Sequence, residues 1–527
     1  MSQASGSSVS LSKLPPEVWG SIASSFQLEP MDMGTYHPSR DFLANRANLR
    51  NLCLTNHTFA AAAQPFLYET IILYARPDDE TKGPESLVQL LRTLVSNPVL
   101  QQYVRHLACA LTLWPNKRDG IQSPFRSFRV WKGMRDGSQQ SVSVLRAWQE
   151  MRDVCLAKLK PAERQLFVNA TLLEPSDEAP APQTWPYSRH VDAGVKDAIQ
   201  LWNNDLQTSQ KLLAILLCFT PRLQTLLLQG SAHQRSPIRP FSDLLEYFLC
   251  QQSGPQDPVL PLLSTIRLQP GPSALPSSWT GVQVCQNLLP HLPSLRQLDQ
   301  WKSASYRDAQ DLPDHTWANG LEEINVVLGT NAGTTAGFVN QAHSLRTLRL
   351  QCVPEHHGIH NWQPTPPQGD LNQAILHRAP TLARLTLTSM GDAFQWQHRR
   401  LSCLPQLPLV EELEIDHSLL VQFNSPGETQ VPDLIPPNLR ELKLIFHHGS
   451  DEHFEMFMLT FPLDLPLARS QGRLKELQKI HIEVFSVHDI NNQKLKAKLD
   501  TRLALILETG CVCTYTLNRG QKPNIVI

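Results

Sequence analysis

The sequence lacks a surplus of charge of either sign. Against 47 Lys+Arg stand 48 Asp+Glu, a formal net charge of -1, so no global field draws the chain toward nucleic acid or an anionic membrane, and a charge-driven partner must use a local patch. Long apolar runs are missing too. The longest, LLAILLCF at 212–219, is well short of the roughly 20 residues that cross a bilayer, so no membrane partner is expected. The first ten residues, MSQASGSSVS, have neither the basic stretch nor the apolar core of a secretory signal and are expected to be disordered. Ten cysteines are scattered mostly as singles such as Cys53, Cys155, Cys218 and Cys352. That spacing builds no disulfide framework and suits a reducing compartment, so a cytoplasmic and/or nuclear protein is expected.

Signatures of chemistry are scarce as well. No G-x-G-x-x-G, P-loop, G-x-S-x-G or H-E-x-x-H phrase occurs. Cys511 and Cys513 form a C-x-C pair with no second pair nearby and read as alternate residues of a strand. His356, His357 and His360, and His447, His448 and His453, lie in polar stretches without a cysteine or carboxylate at ligand spacing. The expectation is a non-catalytic chain with no cofactor and no metal.

What the sequence does have is a recurring phrase with apolar residues at positions 1, 4 and 6. It reads LQTLLL at 223–228, LSTIRL at 263–268, LEEINV at 321–326, LRTLRL at 345–350, LARLTL at 382–387, VEELEI at 410–415, LRELKL at 439–444 and LQKIHI at 477–482. LRQLDQ at 295–300 is a degenerate copy and VRHLACAL at 104–111 an early outlier. Copies are spaced by about 24 to 40 residues, longer and less regular than the 20 to 29 of standard leucine-rich repeats. The last two apolar positions alternate with polar ones, the period of a half-buried strand. Helix-like stretches fall between copies at 204–219, 241–251, 283–289, 370–378 and 494–510. One such unit cannot bury its apolar face alone, so neighbours must stack. The fold class expected is an α/β solenoid, an irregular leucine-rich-repeat array of short parallel strands backed by helices, occupying 201–527.

Residues 112–200 do not fit the phrase and read as an insertion. It comprises a basic loop, helix-like segments at 142–172 and a Pro-rich linker at 174–188. The loop interleaves Lys117, Arg118, Arg126, Arg129, Lys132 and Arg135 with Trp114, Phe125, Phe128 and Trp131, a mixture that single-stranded nucleic acid can exploit. The neutral total favours a solvated loop, and nucleic acid is not expected as a partner. Ahead of the insertion, 76–111 reads as a linker helix and a first repeat-like strand.

At 11–75 a small helical module is expected. Pro15 and Pro16 can open a helix in LPPEVWGSIASSF (14–26), with Glu17 at its positive end. Val18, Ile22 and Phe26 share one stripe, with Trp19 and Ala23 beside it. A second helix is expected around Phe42–Leu49. A third is capped by Thr55 or Asn56 and closed by Pro65. So small a bundle has more apolar residues than it can bury internally.

These residues resemble an F-box of the type common in fungal proteins. The likeness rests on the Leu14-Pro15-Pro16-Glu17 opening, on LRNLCLTNHTF at 49–59 and on AAAAQPFLYETI at 60–71. The resemblance implies docking on a Skp-type adaptor, and through it membership of an SCF-type (cullin-RING) ubiquitin ligase, with Leu14, Pro15, Leu52 and Leu54 facing the adaptor and Val18 and Ile22 either sharing that role or lining the module's own core. The array would then hold an unknown protein substrate. Its exposed strand face offers Arg267, Arg349 and Arg384 in the middle, then Glu412, Glu414, Asp416 and Glu441, so the sign of charge reverses along the array. The alternative is a scaffold outside any ligase, whose helical module only caps the array.

Overall fold

A computed structural model of the chain describes residues 15–28, 39–73, 82–110, 157, 216–217, 219–229, 260–269, 292–303, 316–328, 339–352, 371–389, 401–420, 431–446, 451–486, 501 and 503–519. Described residues up to Ser264 form one compact unit and those from Thr265 on form a second. The expected basic loop, the segments at 142–172 apart from Ala157, the Pro-rich linker and the helices at 241–251 and 283–289 lie outside the described residues.

The first unit opens with α1 (Pro16–Ser24), α2 (Arg40–Thr55) and α3 (His57–Glu69). Proline at the first helical position gives up only an N–H that has no partner there, and the Val18 N–H donates to the Pro15 carbonyl at 3.0 Å. Ser39 accepts the Phe42 N–H at 3.0 Å, which starts α2 earlier than the apolar pattern alone suggests. Asn56 caps α3 by accepting the Phe59 N–H at 2.9 Å. Pro65 does not close α3, contrary to expectation. It sits inside the helix, where it forgoes one backbone bond while Phe66 and Leu67 behind it pack against the core. α3 packs on both α1 and α2. Trp19 and Phe59 meet edge to face with ring centroids 4.0 Å apart.

From Thr70 the chain enters a parallel sheet: β1 (Thr70–Leu73), then α4 (Lys82–Ser96), α5 (Pro98–Gln101), β2 (His106–Ala110) and β3 (Thr225–Gln229). β1 pairs with β2 and β2 with β3. Both faces of these strands are buried. Ile71, Leu107 and Leu226 lie in one register row at 3%, 1% and 0% exposure. Ile72, Ala108 and Leu227 form the row on the opposite face, and these three share one core with Ala23, Leu28, Phe42, Leu49 and Ala63 of the helical region. The expected boundary at 75 is therefore not a break in packing. The helices and the first strands enclose a single core.

The second unit contains β4 (Thr265–Gln269), β5 (Gln297–Ser303), β6 (Glu323–Leu328), β7 (Thr347–Cys352), α6 (Leu371–His377), β8 (Arg384–Ser389), β9 (Glu412–Asp416), β10 (Glu441–Phe446), α7 (Asp451–Ser470), β11 (Lys479–Ser486) and β12 (Val512–Arg519). Each strand from β4 to β12 pairs in parallel with the next in chain order. Every copy of the phrase is a strand, and its first apolar residue lies buried in the turn just before it, as at Leu263, Leu345 and Leu439. Position 4 builds one continuous apolar row through Ile266, Leu298, Ile324, Leu348, Leu385, Leu413, Leu442 and Ile480, none more than 2% exposed. Each fully buried aliphatic side chain in it is worth about 1.5 to 3 kcal/mol relative to exposure. The residue ahead of each strand extends the ladder by one rung, as in Arg346 N–H to Glu322 O and Ala383 N–H to Arg346 O, both 2.8 Å.

Of the expected helices, 370–378 is α6, and the described part of 494–510 is helical at 501 and 503–507. α7 carries Pro462 and Pro466 inside it and still runs 20 residues. Both units are thus α/β, with parallel strands stacked in chain order in the manner of a solenoid.

Candidate functional site

Two surfaces collect the residues that the sequence singles out. The first lies on the helical region. In α1 the stripe divides: Trp19 and Ala23 are buried against α3 and the common core, while Val18 and Ile22, one turn apart, remain 38% and 36% exposed. Leu43 and Leu54 fall eleven positions apart on α2 and so on one side of it, at 38% and 74% exposure. Leu52 turns the other way and packs half-buried against the core. Pro15 is exposed, and Leu14 lies outside the described residues. Val18, Ile22, Leu43 and Leu54 thus stay in water on a three-helix arrangement that is otherwise packed.

The second surface is the face of β4–β12 opposite the apolar rows. Position 5 of the phrase places Arg267, Asp299, Asn325, Arg349, Thr386, Glu414, Lys443 and His481 in one register row. Position 3 supplies the adjacent row, Thr265, Gln297, Glu323, Thr347, Arg384, Glu412, Glu441 and Lys479. Most of the charges answer one another across neighbouring strands. Arg267 pairs with Asp299 at 2.8 Å, Arg384 with Glu412 at 3.1 Å, and Lys479 with Glu441. Lys443 stands between Glu414 at 2.6 Å and Glu483 at 2.9 Å. Although burial works against its charge, the two carboxylates outweigh that and hold the ammonium above its usual range. The expected reversal of sign along the array is therefore largely cancelled pair by pair.

Asp416 departs from expectation more sharply. Alternation along β9 puts it on the exposed face, yet it is 2% exposed at the end of β9, where the chain turns into His417 and that ring stacks on Phe446 at 4.5 Å. Its register partner on β10, Ile445, is buried as well at 5% exposure, so the period-two rule does not predict exposure at this rung. Asp299 belongs to the row but was not legible, because the copy that carries it is degenerate. Burial pushes its carboxyl up to about 6, with Arg267 pulling in the opposite direction and Glu323 adding to the rise. Glu323 was also overlooked, although its place at position 3 of LEEINV is the signal that identifies it. His481 Nδ1 lies 2.8 Å from Thr514 Oγ1, and burial followed by the nearby Lys443 lowers its pKa.

Among the described residues no three His, Cys, Asp or Glu side chains are grouped to hold a metal ion, and no helix is long and apolar enough to cross a membrane. The histidines at 356–360 and 447–448 lie outside the described residues. A scan against protein-family models and a search of curated proteins each return no match.

Proposed function

We propose that this chain is the substrate-recognition subunit of an SCF-type ubiquitin ligase, an F-box protein whose irregular leucine-rich repeats hold a protein substrate. The observation that carries the reading is the divided stripe of α1: Trp19 and Ala23 anchor the helix, while Val18 and Ile22, which the F-box resemblance gives either to the adaptor or to the module's core, are left in water. Leu54 supports it from α2. The contribution of such a subunit is positional. Holding a substrate beside a charged ubiquitin carrier raises effective concentration without chemistry by this chain. Co-expression with a Skp-type adaptor and a cullin tests it. The wild-type chain is expected to co-purify with both, and Val18→Asp with Ile22→Asp to lose them while remaining folded. Failure of the wild type to co-purify would remove the ligase reading.

A second reading has its own support. Ile72, Ala108 and Leu227 are buried in the same core as the helices, so the helical region serves as a cover for the first strands whatever else it does. A scaffold outside any ligase would keep that packing and show no adaptor in the same experiment.

A further inference from the structure

The open face of β4–β12 neutralises itself except at one place. Among its described charged residues, Arg267, Asp299, Arg384, Glu412, Glu414, Glu441, Lys443, Lys479 and Glu483 all have an ion-pair partner on a neighbouring strand. Glu323 on β6 and Arg349 on β7 belong to the same two rows and have none. Their positions are diagonal: Glu323 is in register with Thr347, and Arg349 with Asn325. Diagonal neighbours in a sheet stand roughly 7 to 8 Å apart, and no ion pair closes between them. Both charges act on their surroundings, since Glu323 raises and Arg349 lowers the pKa of Asp299 nearby. Arg349 is exposed and Glu323 half-buried, with the neutral side chains of Asn325 and Thr386 flanking Arg349 in its row.

The geometry points to a docking seat for an extended peptide that carries an acidic and a basic residue two positions apart. In an extended strand, residues i and i+2 face the same way about 6.8 Å apart, which matches the diagonal of the two unpaired charges. An acidic side chain would meet the Arg349 guanidinium with two parallel hydrogen bonds, a basic one would meet Glu323, and Asn325 would remain for the peptide backbone. A partner with two like charges would place one of them against its own sign. This rests on the reading of the array as a substrate holder and supplies the chemical class of substrate.

A library of random, unmodified dodecapeptides displayed against the full chain tests the seat without any adaptor present. The expected result is enrichment of an acid-x-base or base-x-acid pattern, in one dominant order. Synthetic peptides of that pattern should bind Arg349→Glu or Glu323→Lys at least about tenfold more weakly, the loss expected when one charged partner is reversed. The double exchange, Arg349→Glu with Glu323→Arg, should select the opposite order. Neither side chain has an ion-pair partner to lose, so circular dichroism should be unchanged in all three variants. Absence of enrichment, or a pattern that is the same in the exchanged protein, overturns the proposal. Selection by peptide together with failure to co-purify with an adaptor would keep the seat and discard the ligase, and the converse result would do the reverse.

Discussion

Position 5 of the strand phrase has two fates in this chain. In the first unit it is Ile72, Ala108 and Leu227, and three helices cover it. In the second it is Asn325, Arg349, Thr386, Glu414 and Lys443, and it faces water. The inner positions are the same in both units, aliphatic and buried. What builds the sheet is thus separate from what decides its outer face. An apolar outer row needs a cover, and α1–α3 supply it from one side of their own surface. The other side of those helices keeps Val18, Ile22 and Leu54 in solvent. A helical region that has already used one face on its own sheet still leaves large aliphatic side chains exposed elsewhere on its surface.

The sharpest way to break this comparison is to move the chemistry of one unit into the other. Leu227→Asp puts a carboxylate into the shared core, and denaturant titration should show a loss of about 4 kcal/mol or more, or failure of the first unit to fold. The mirror change, Thr386→Leu, should alter stability by no more than about 0.5 kcal/mol, since it swaps one outward side chain for another. Equal effects from the two would erase the distinction between covered and open rows.

Asp299 sharpens the comparison through pH. Its folded pKa of about 6 is above the roughly 3.9 of an unfolded aspartate, so the folded state binds more protons between the two values. Its contribution is fully present below about pH 4 and is lost as pH rises through about 6, about 3 kcal/mol in all. NMR titration should find Arg349→Gln raising this pKa and Glu323→Gln lowering it, because each removes a charge that acts on Asp299. The ion pairs should have small effects. Lys443→Met leaves Glu414 and Glu483 without their shared cation and should cost about 1 kcal/mol, and Arg384→Ala, at a more exposed pair, less than about 0.5 kcal/mol. Raising salt should shrink both.

The strands were legible because burial imposes a strict pattern on them. Leu345, Leu348 and Leu350 are buried for the reason that their spacing suggests, and even the degenerate LRQLDQ forms β5, since Leu295 and Leu298 keep their places in the core. Where tertiary contact overrides local pattern, the sequence misleads. Pro65 sits inside α3, and Pro462 and Pro466 inside α7, because packing on the rest of the unit outweighs the lost backbone bonds. Asp416 is buried beside Ile445 at a rung where alternation anticipates exposure. The joining of helices and first strands into one core was not readable either: Ile72, Ala108 and Leu227 carry no local mark showing which neighbour they meet. Of the candidate surfaces, Val18 and Ile22 were legible from helical spacing, and the Glu323–Arg349 diagonal was not, since register between strands decides which charges find partners.

Binding of a purified Skp-type adaptor, measured by titration calorimetry on the wild-type chain and on Val18→Asp with Ile22→Asp, bears most directly on the use of the uncovered helical face. The account predicts saturable one-to-one binding by the wild type and a loss of at least about a hundredfold, roughly 2.7 kcal/mol, in the variant with its melting temperature unchanged. No binding by the wild type, or equal binding by both, would contradict it.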